Sequence, residues 1–541
     1  MHNPFKILIR NNLFYNYFLQ RKILEVKGKL SEDEVVKRIM FLAEFSWRNH
    51  SGYFYDGRLE NVLFDHGTNL HRYIDEKRVE DHIKRIVPKK NDYSILHVAT
   101  ELGEVGGHTR VLYQFLKRHD DGNQIVILTN QSINKVPQWF IDDIGNIPVV
   151  TLESISSLFE RAFILRYISN LSKRIILYHH PYDAVPIMAF SHDKCPPVLL
   201  ENHAHSWFWL GPSIADMVFA HTNFHTNFTR KTRPVDNVYY LPATQLNDID
   251  VTFDQKDKAK AKEKLNISPN ALCIITIGTA EKFIPNSQYN FYKTAKKIVE
   301  RFENAELFVI GTTYDKKYNL NTQKIHFLGP VSDPSDYYKA ADICLDALPQ
   351  PSLGGTYFST LIGMTCPLLK YGAFNVFNSR NFGKVKSYEQ YIGTVRNEKE
   401  YLNKLAFLIN NPDIRFQIAK EIRDDYIKMF SKDAFAEKIN EMLQYTNNIT
   451  HLPGKIPDGF YYHDADSAEI ADTSSLQDLS SMFRYFQNYL TMRDKVTIVS
   501  RLSAKFIFCN DILKLAGISL KNRVKTLGPF LLRGWSYLWP D

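Results

Sequence analysis

Two successive series of short apolar runs, separated by helix-length segments, constrain this chain more than any other feature. The first series is YSILHVAT (93–100), IVILTN (125–130), PVVTL (148–152), RIILYHH (174–180), PVLLENHAH (197–205), DMVFAHT (216–222) and VYYLPA (238–243). The second is LCIITIGT (272–279), ELFVIGT (306–312), KIHFLGP (324–330), DICLDAL (342–348) and PLLKYG (367–372). Helical patterns stand between them, among them FYKTAKKIVERF (291–302), PSDYYKAA (334–341) and YFSTLIGM (357–364), and more fill 397–445. Strands alternating with helices predict an α/β protein whose parallel sheets carry helices on both faces. Two series predict two doubly wound, Rossmann-like units, each able to hold a ligand at the C-terminal ends of its strands.

The remaining sequence flanks these units. Residues 1–90 read as a helical extension, in which SEDEVVKRIMFLAEFSW (31–47) opens on Ser31 and acidic residues, as a capped helix does. The charged run DQKDKAKAKEK (254–264) reads as a solvated linker or an exposed helix. The expected divisions are therefore 1–90, 91–245, 246–445 and a C-terminal extension, 446–541. A composition of 44% hydrophobic and 23% charged residues excludes wholesale disorder and a disulfide-dense scaffold. The net charge of +8 over 541 residues is too dilute to imply nucleic acid. Five scattered cysteines without a CxxC pair point to neither a zinc site nor a disulfide framework, and fit a reducing compartment. The first residues lack a clean apolar stretch and no apolar run approaches 18 residues, so neither a signal peptide nor a spanning helix is expected.

Chemistry-bearing residues gather at predicted strand ends. ELGEVGGHTRVL (101–112) follows the first strand; Gly106 and Gly107 permit a tight turn, and His108 opens a helix whose N–H groups favour anionic charge. His179, His180 and Asp183 end another strand, Glu201, His203 and His205 a third, and His221 a fourth. Zinc is the competing reading of these histidines, but HAH lacks the i, i+4 helical spacing and has no cysteine near it. In the second series, IGTAEKFIPN (277–286) carries Lys282, and LDALPQPSLGGTYFSTLIGMTCPLL (345–369) carries Gly354, Gly355, Thr356 and Tyr357 at a helix start. Backbone N–H groups and the Thr356 hydroxyl there could cradle phosphate.

The order of these motifs resembles a GT-B glycosyltransferase over roughly 93–445, and most specifically the O-GlcNAc transferase-like and bacterial cytoplasmic protein glycosyltransferase group. SLGGTYFSTLIGMTCPLL is similar to that group's "GGGT…ALW-G-P" signature, and EKFIP to its lysine-bearing diphosphate loop. The resemblance implies a nucleotide-sugar donor bound by Gly106, Gly107, Lys282, Gly354, Gly355, Thr356 and Tyr357, and an active-site histidine at His108. The common retaining GT-B enzymes carry two glutamates eight positions apart, whereas residues 347–363 hold no Glu or Asp. An inverting transfer then needs a base, for which His108 comes first, followed by Asp183 and His203.

The expected activity is transfer of a hexosyl or N-acetylhexosaminyl group from a UDP-sugar to a protein or cell-surface glycan, in the cytoplasm and without a cofactor or metal. The triplets DID (248–250) and DAD (464–466) fall in polar stretches away from the strand ends, and read as coincidence rather than as metal-holding motifs. The alternatives are a UDP-sugar epimerase and a catalytically silent subunit that binds acceptor for a partner enzyme. Residues 501–541 carry a net +5 interleaved with Trp535, Tyr537 and Trp539. They read either as packing onto the core or as peripheral contact with an anionic membrane face, which liposome flotation separates.

Overall fold

The computed structural model describes residues 4–474 except 27, 88–91, 105–106, 120–122, 205, 243–252, 287–288, 321, 370, 372–384 and 431. Gly106, His205, the triplet at 248–250 and the basic aromatic tail lie outside the described residues. All twelve predicted strands are present. The first seven are β1 (Ile95–Ala99), β2 (Gln124–Leu128), β3 (Val149–Thr151), β4 (Ile175–Tyr178), β5 (Val198–Glu201), β6 (Met217–Ala220) and β7 (Val238–Tyr240). They form one sheet in the order β3-β2-β1-β4-β5-β6-β7, parallel throughout. The others, β8 (Leu272–Ile277), β9 (Ala305–Ile310), β10 (Ile325–Gly329), β11 (Ile343–Leu345) and β12 (Cys366–Leu368), form a second parallel sheet ordered β10-β9-β8-β11-β12.

The strands read as unbroken apolar runs because both faces of each sheet are covered; β1, β2, β4, β5 and β6 are buried at every residue. Each sheet reverses its strand order once, between β1 and β4 in the first and between β8 and β11 in the second. Such switch points splay the connecting loops apart and open a crevice at the strand C-termini.

The helical extension forms one layer of the first unit. Phe14, Phe18, Leu42 and Phe45 share a core with Leu96, Val98 and Ile127 of its sheet. Ser31 caps the Glu32–Arg48 helix by accepting from the Glu34 N–H, as the sequence predicts. The Gly57–Thr68 helix is tied down by Glu60, whose two carboxylate oxygens accept the N–H groups of Gly211 and Ser213, each at 3.0 Å. Burial raises the Glu60 carboxyl from 4.5 to about 7, against the pull of those hydrogen bonds. A raised carboxyl pKa contributes stability below its unfolded value and loses it as pH rises through the folded one. Stability should therefore fall between about pH 5 and about pH 8 by more in the wild type than in Glu60→Gln. Parallel melting curves across that range would show that Glu60 does not govern it.

The C-terminal part of the chain returns to the first unit. Phe435, Ile439 and Met442 of the Lys432–Tyr445 helix join Val111, Leu112 and Phe115 on the opposite face of the first sheet. His451 then seats its ring between Asp216 Oδ2 (2.7 Å) and the Phe190 carbonyl (2.8 Å). Ile456 exchanges two hydrogen bonds with the Asn61 amide, and the Tyr462 N–H donates to the Gly52 carbonyl. The Ala465–Ser474 helix packs on the Pro4–Phe18 helix, sets Ile470 against Phe54 and Phe228, and reaches the second unit where the Tyr289 hydroxyl donates to Glu469 (3.2 Å).

One feature differs from expectation. The charged run is a capped helix, Gln255–Lys264, and it is not simply solvated. Lys258 and Lys262, one turn apart, both point inward to Asp342, at 3.1 and 3.5 Å. In the DAD triplet, Asp464 is a helix cap that accepts the Ser467 N–H at 2.8 Å. Among the described residues no helix is long and apolar enough to cross a membrane.

Candidate functional site

Among the described residues, His108, His180 and Asp183 fall at the first switch point and Lys282, Gly354 and Gly355 at the second, while His203 and His221 follow the neighbouring strands β5 and β6. At the first, the Gly107–Arg118 helix starts just after β1, and His108 is its second residue. Its Nε2 lies 2.9 Å from the Tyr178 carbonyl at the end of β4. A carbonyl only accepts, so Nε2 carries the proton and Nδ1 is left with the lone pair. The His108 ring lies 4.8 Å from that of His203, beyond β5, and 5.8 Å from that of His180, beyond β4. Three imidazoles from three elements thus converge. Burial, reinforced by His108, His179 and Arg48, lowers His180 to about 3 and keeps it neutral. His179 is turned away, donating from Nε2 to the Leu210 carbonyl at 2.9 Å.

Asp183 belongs to the scaffold of this cluster. It is buried, and its Oδ2 accepts the hydroxyls of Thr100, at 2.8 Å, and of Thr129. Its Oδ1 accepts the Val185 N–H at 3.0 Å. Thr100 in turn accepts the His180 N–H at 2.8 Å, so the carboxylate ties the ends of β1, β2 and β4 together. Sequence reasoning passed over Thr100 and Thr129; a threonine just beyond each of two neighbouring apolar runs was the available signal. Glu201 sits behind His203. Its Oε2 is 3.7 Å from His203 Nδ1, and its Oε1 is 2.7 Å from His221 Nε2.

At the second switch point, Lys282 follows β8 in a short 3-10 turn and donates from Nζ to the Pro351 carbonyl at 2.8 Å. Burial lowers its pKa, while Asp346 and Glu281 act in the opposite direction. Asp346, after β11, accepts the N–H groups of Ala347 (2.9 Å) and Ser352 (2.7 Å), and so folds the loop that leads into the Leu353–Gly363 helix. Gly355 is required by packing: a Cβ there would lie 2.9 Å from Ile277 Cβ, so only glycine brings the helix start against the end of β8. Gly354 lies beside it in the first turn.

Thr356 and Tyr357 are placed differently from the sequence reading. Thr356 is buried and its hydroxyl donates back to the Ser352 carbonyl at 3.3 Å; the Tyr357 ring packs edge-on against Tyr426 at 4.7 Å. Their side chains serve the core of the second unit. Lys282 and the backbone N–H groups of the helix start are what this site offers an anion. Among the described residues no group of three or more His, Cys, Asp or Glu side chains is arranged to hold a metal ion.

No protein-family model matches the chain, and no curated protein matches it either. Solved structures do. Anabaena HepE in complex with UDP and glucose aligns with a TM-score of 0.50 at 15% identity, over 65% of this chain and 99% of its own. A glycosyltransferase from Rickettsia africae aligns at 0.49 and 14%, over 66% and 100%. The O-GlcNAc transferase of Thermobaculum terrenum aligns at 0.45 and 10%, over 81% and 82%. Two parallel doubly wound sheets, each with its own switch point, together with the likeness to HepE, give this chain the GT-B fold.

Proposed function

We propose that the chain is a glycosyltransferase that moves a hexosyl or N-acetylhexosaminyl group from a UDP-sugar to a protein or cell-surface glycan acceptor, with inversion and without a metal. The observation that carries this reading is the pairing of an imidazole cluster at one switch point with a lysine and a helix start at the other. The first can take a proton and the second can hold an anion.

In the proposed reaction the acceptor hydroxyl gives its proton to His108 Nδ1. Its oxygen bonds to the anomeric carbon as the bond from that carbon to the diphosphate oxygen breaks. The electron pair leaves with the diphosphate, whose charge meets Lys282 and the N–H groups at the start of the Leu353–Gly363 helix. The likeness in fold to HepE, solved with UDP and glucose, supports UDP as the nucleotide.

The test is a panel of nucleotide sugars read by thermal stabilisation, since a ligand at 100 times its Kd adds about 2.7 kcal/mol. UDP-sugars should stabilise the wild type. Lys282→Ala, which loses a charge-assisted contact worth about 1.5–3 kcal/mol, should bind UDP about ten- to a hundredfold more weakly. Sugar transfer should persist in EDTA. Unchanged UDP binding by a folded Lys282→Ala protein refutes the donor site. Recovery of an epimerised nucleotide sugar makes the chain an epimerase, and UDP binding with neither turnover makes it a silent subunit.

A further inference from the structure

Glu201 is a buried carboxylate that the reaction above does not use. Its side chain is 1% exposed at the end of β5. Taking a carboxylate out of water costs several kcal/mol unless neighbouring groups compensate. Here the compensation comes from His221, just beyond β6. Its Nδ1 lies 3.0 Å from the Leu241 carbonyl, beyond β7, so that nitrogen carries a proton. Its Nε2 lies 2.7 Å from Glu201 Oε1, within hydrogen-bonding distance of the carboxylate. The ends of three adjacent strands thus hold one carboxylate in place, with its other oxygen, Oε2, 3.7 Å from His203 Nδ1. The His203 ring in turn lies 4.8 Å from that of His108, with 31° between the planes.

We infer that Glu201, clamped by His221, is a positioning residue that orients His203 against His108 and steadies the positive charge that arrives there during transfer. This rests on the transfer reading above. The proton stays on His108, the bond changes are those already given, and Glu201 accepts nothing covalently. It acts through orientation and through the attraction of a fixed carboxylate for a cationic imidazole pair, which is strong in a buried setting. The ladder hydrogen bonds already pair β5, β6 and β7 without it.

Glu201→Gln keeps the shape and an oxygen for His221 but removes the charge. It should lower kcat at least about tenfold while KM for the donor and UDP affinity stay at wild-type values. Glu201→Asp, which keeps the charge one methylene further back, should recover part of that loss. Unchanged kcat in Glu201→Gln, or KM rising in step with any loss, overturns the inference. An arm independent of activity uses protein labelled with ¹⁵N at histidine. Glu201→Gln should move the ring resonances of His203 and His221 and leave those of His179, which is bonded to Leu210, in place. Unmoved His203 resonances overturn the inference, and if Glu201→Gln does not fold, Glu201→Asp supplies the same comparison. If the wild type moves no sugar, the transfer reading fails and the resonances decide the role of Glu201 alone.

Discussion

His108→Ala is expected to lower kcat by about 10²–10⁴, with UDP affinity close to wild type. The size follows from losing a positioned general base. The selectivity follows from place, because His108 stands at the β1/β4 switch point while Lys282 stands at the β8/β11 one. The hydrogen bond from Nε2 to the Tyr178 carbonyl directs Nδ1 to be the basic nitrogen. His108→Gln, which can restore a donor to that carbonyl but not a base, should be nearly as slow as alanine. Near-normal turnover in His108→Ala with a dead His203→Ala would move the role to the neighbouring ring.

Asp183→Ala should be among the most destabilising single changes near the site. It leaves the Thr100 and Thr129 hydroxyls and the Val185 N–H buried without their acceptor. Orphaning a buried donor costs about 1–3 kcal/mol, and three sharing one carboxylate should together cost about 3–5 kcal/mol. Asp183→Asn, which keeps one accepting oxygen, should lose roughly half as much. Urea unfolding of the three proteins measures the difference. An alanine variant as stable as the wild type yet inactive would instead make Asp183 the catalytic base.

The strands were legible because parallel strands buried on both faces are written as uninterrupted apolar runs, and each observed strand overlaps the run that predicts it, with β2, β9 and β12 starting one residue earlier. The places of His108 and Lys282 were legible for a related reason: strand order puts the loops after β1, β4, β8 and β11 at crevices. Side-chain direction was not. A Gly-Gly-Thr at a helix start supplies N–H groups for an anion, but whether the threonine faces the crevice depends on rotation about the helix axis. Here close packing of Gly355 on Ile277 turns Thr356 inward. The role of Asp183 was hidden because Thr100 and Thr129, its partners, are 83 and 54 positions away. The inward turn of Lys258 and Lys262 was hidden because a run of mixed charge has no apolar stripe to mark its buried side, and the carboxylate that draws them in, Asp342, is 84 and 80 positions distant.

The returning C-terminal segment sets the order in which this protein can be completed during synthesis. The helical layer at 4–86 and the first sheet leave the ribosome early, but the seat for His451, the Asn61 amide and the sheet face that takes Phe435 and Ile439 stay unfilled until the second unit has been made. The half of the protein translated first is therefore finished last. A nascent chain halted before residue 432 must keep that apolar face from other surfaces, which makes protease protection of stalled chains of increasing length a direct reading of when the first unit closes.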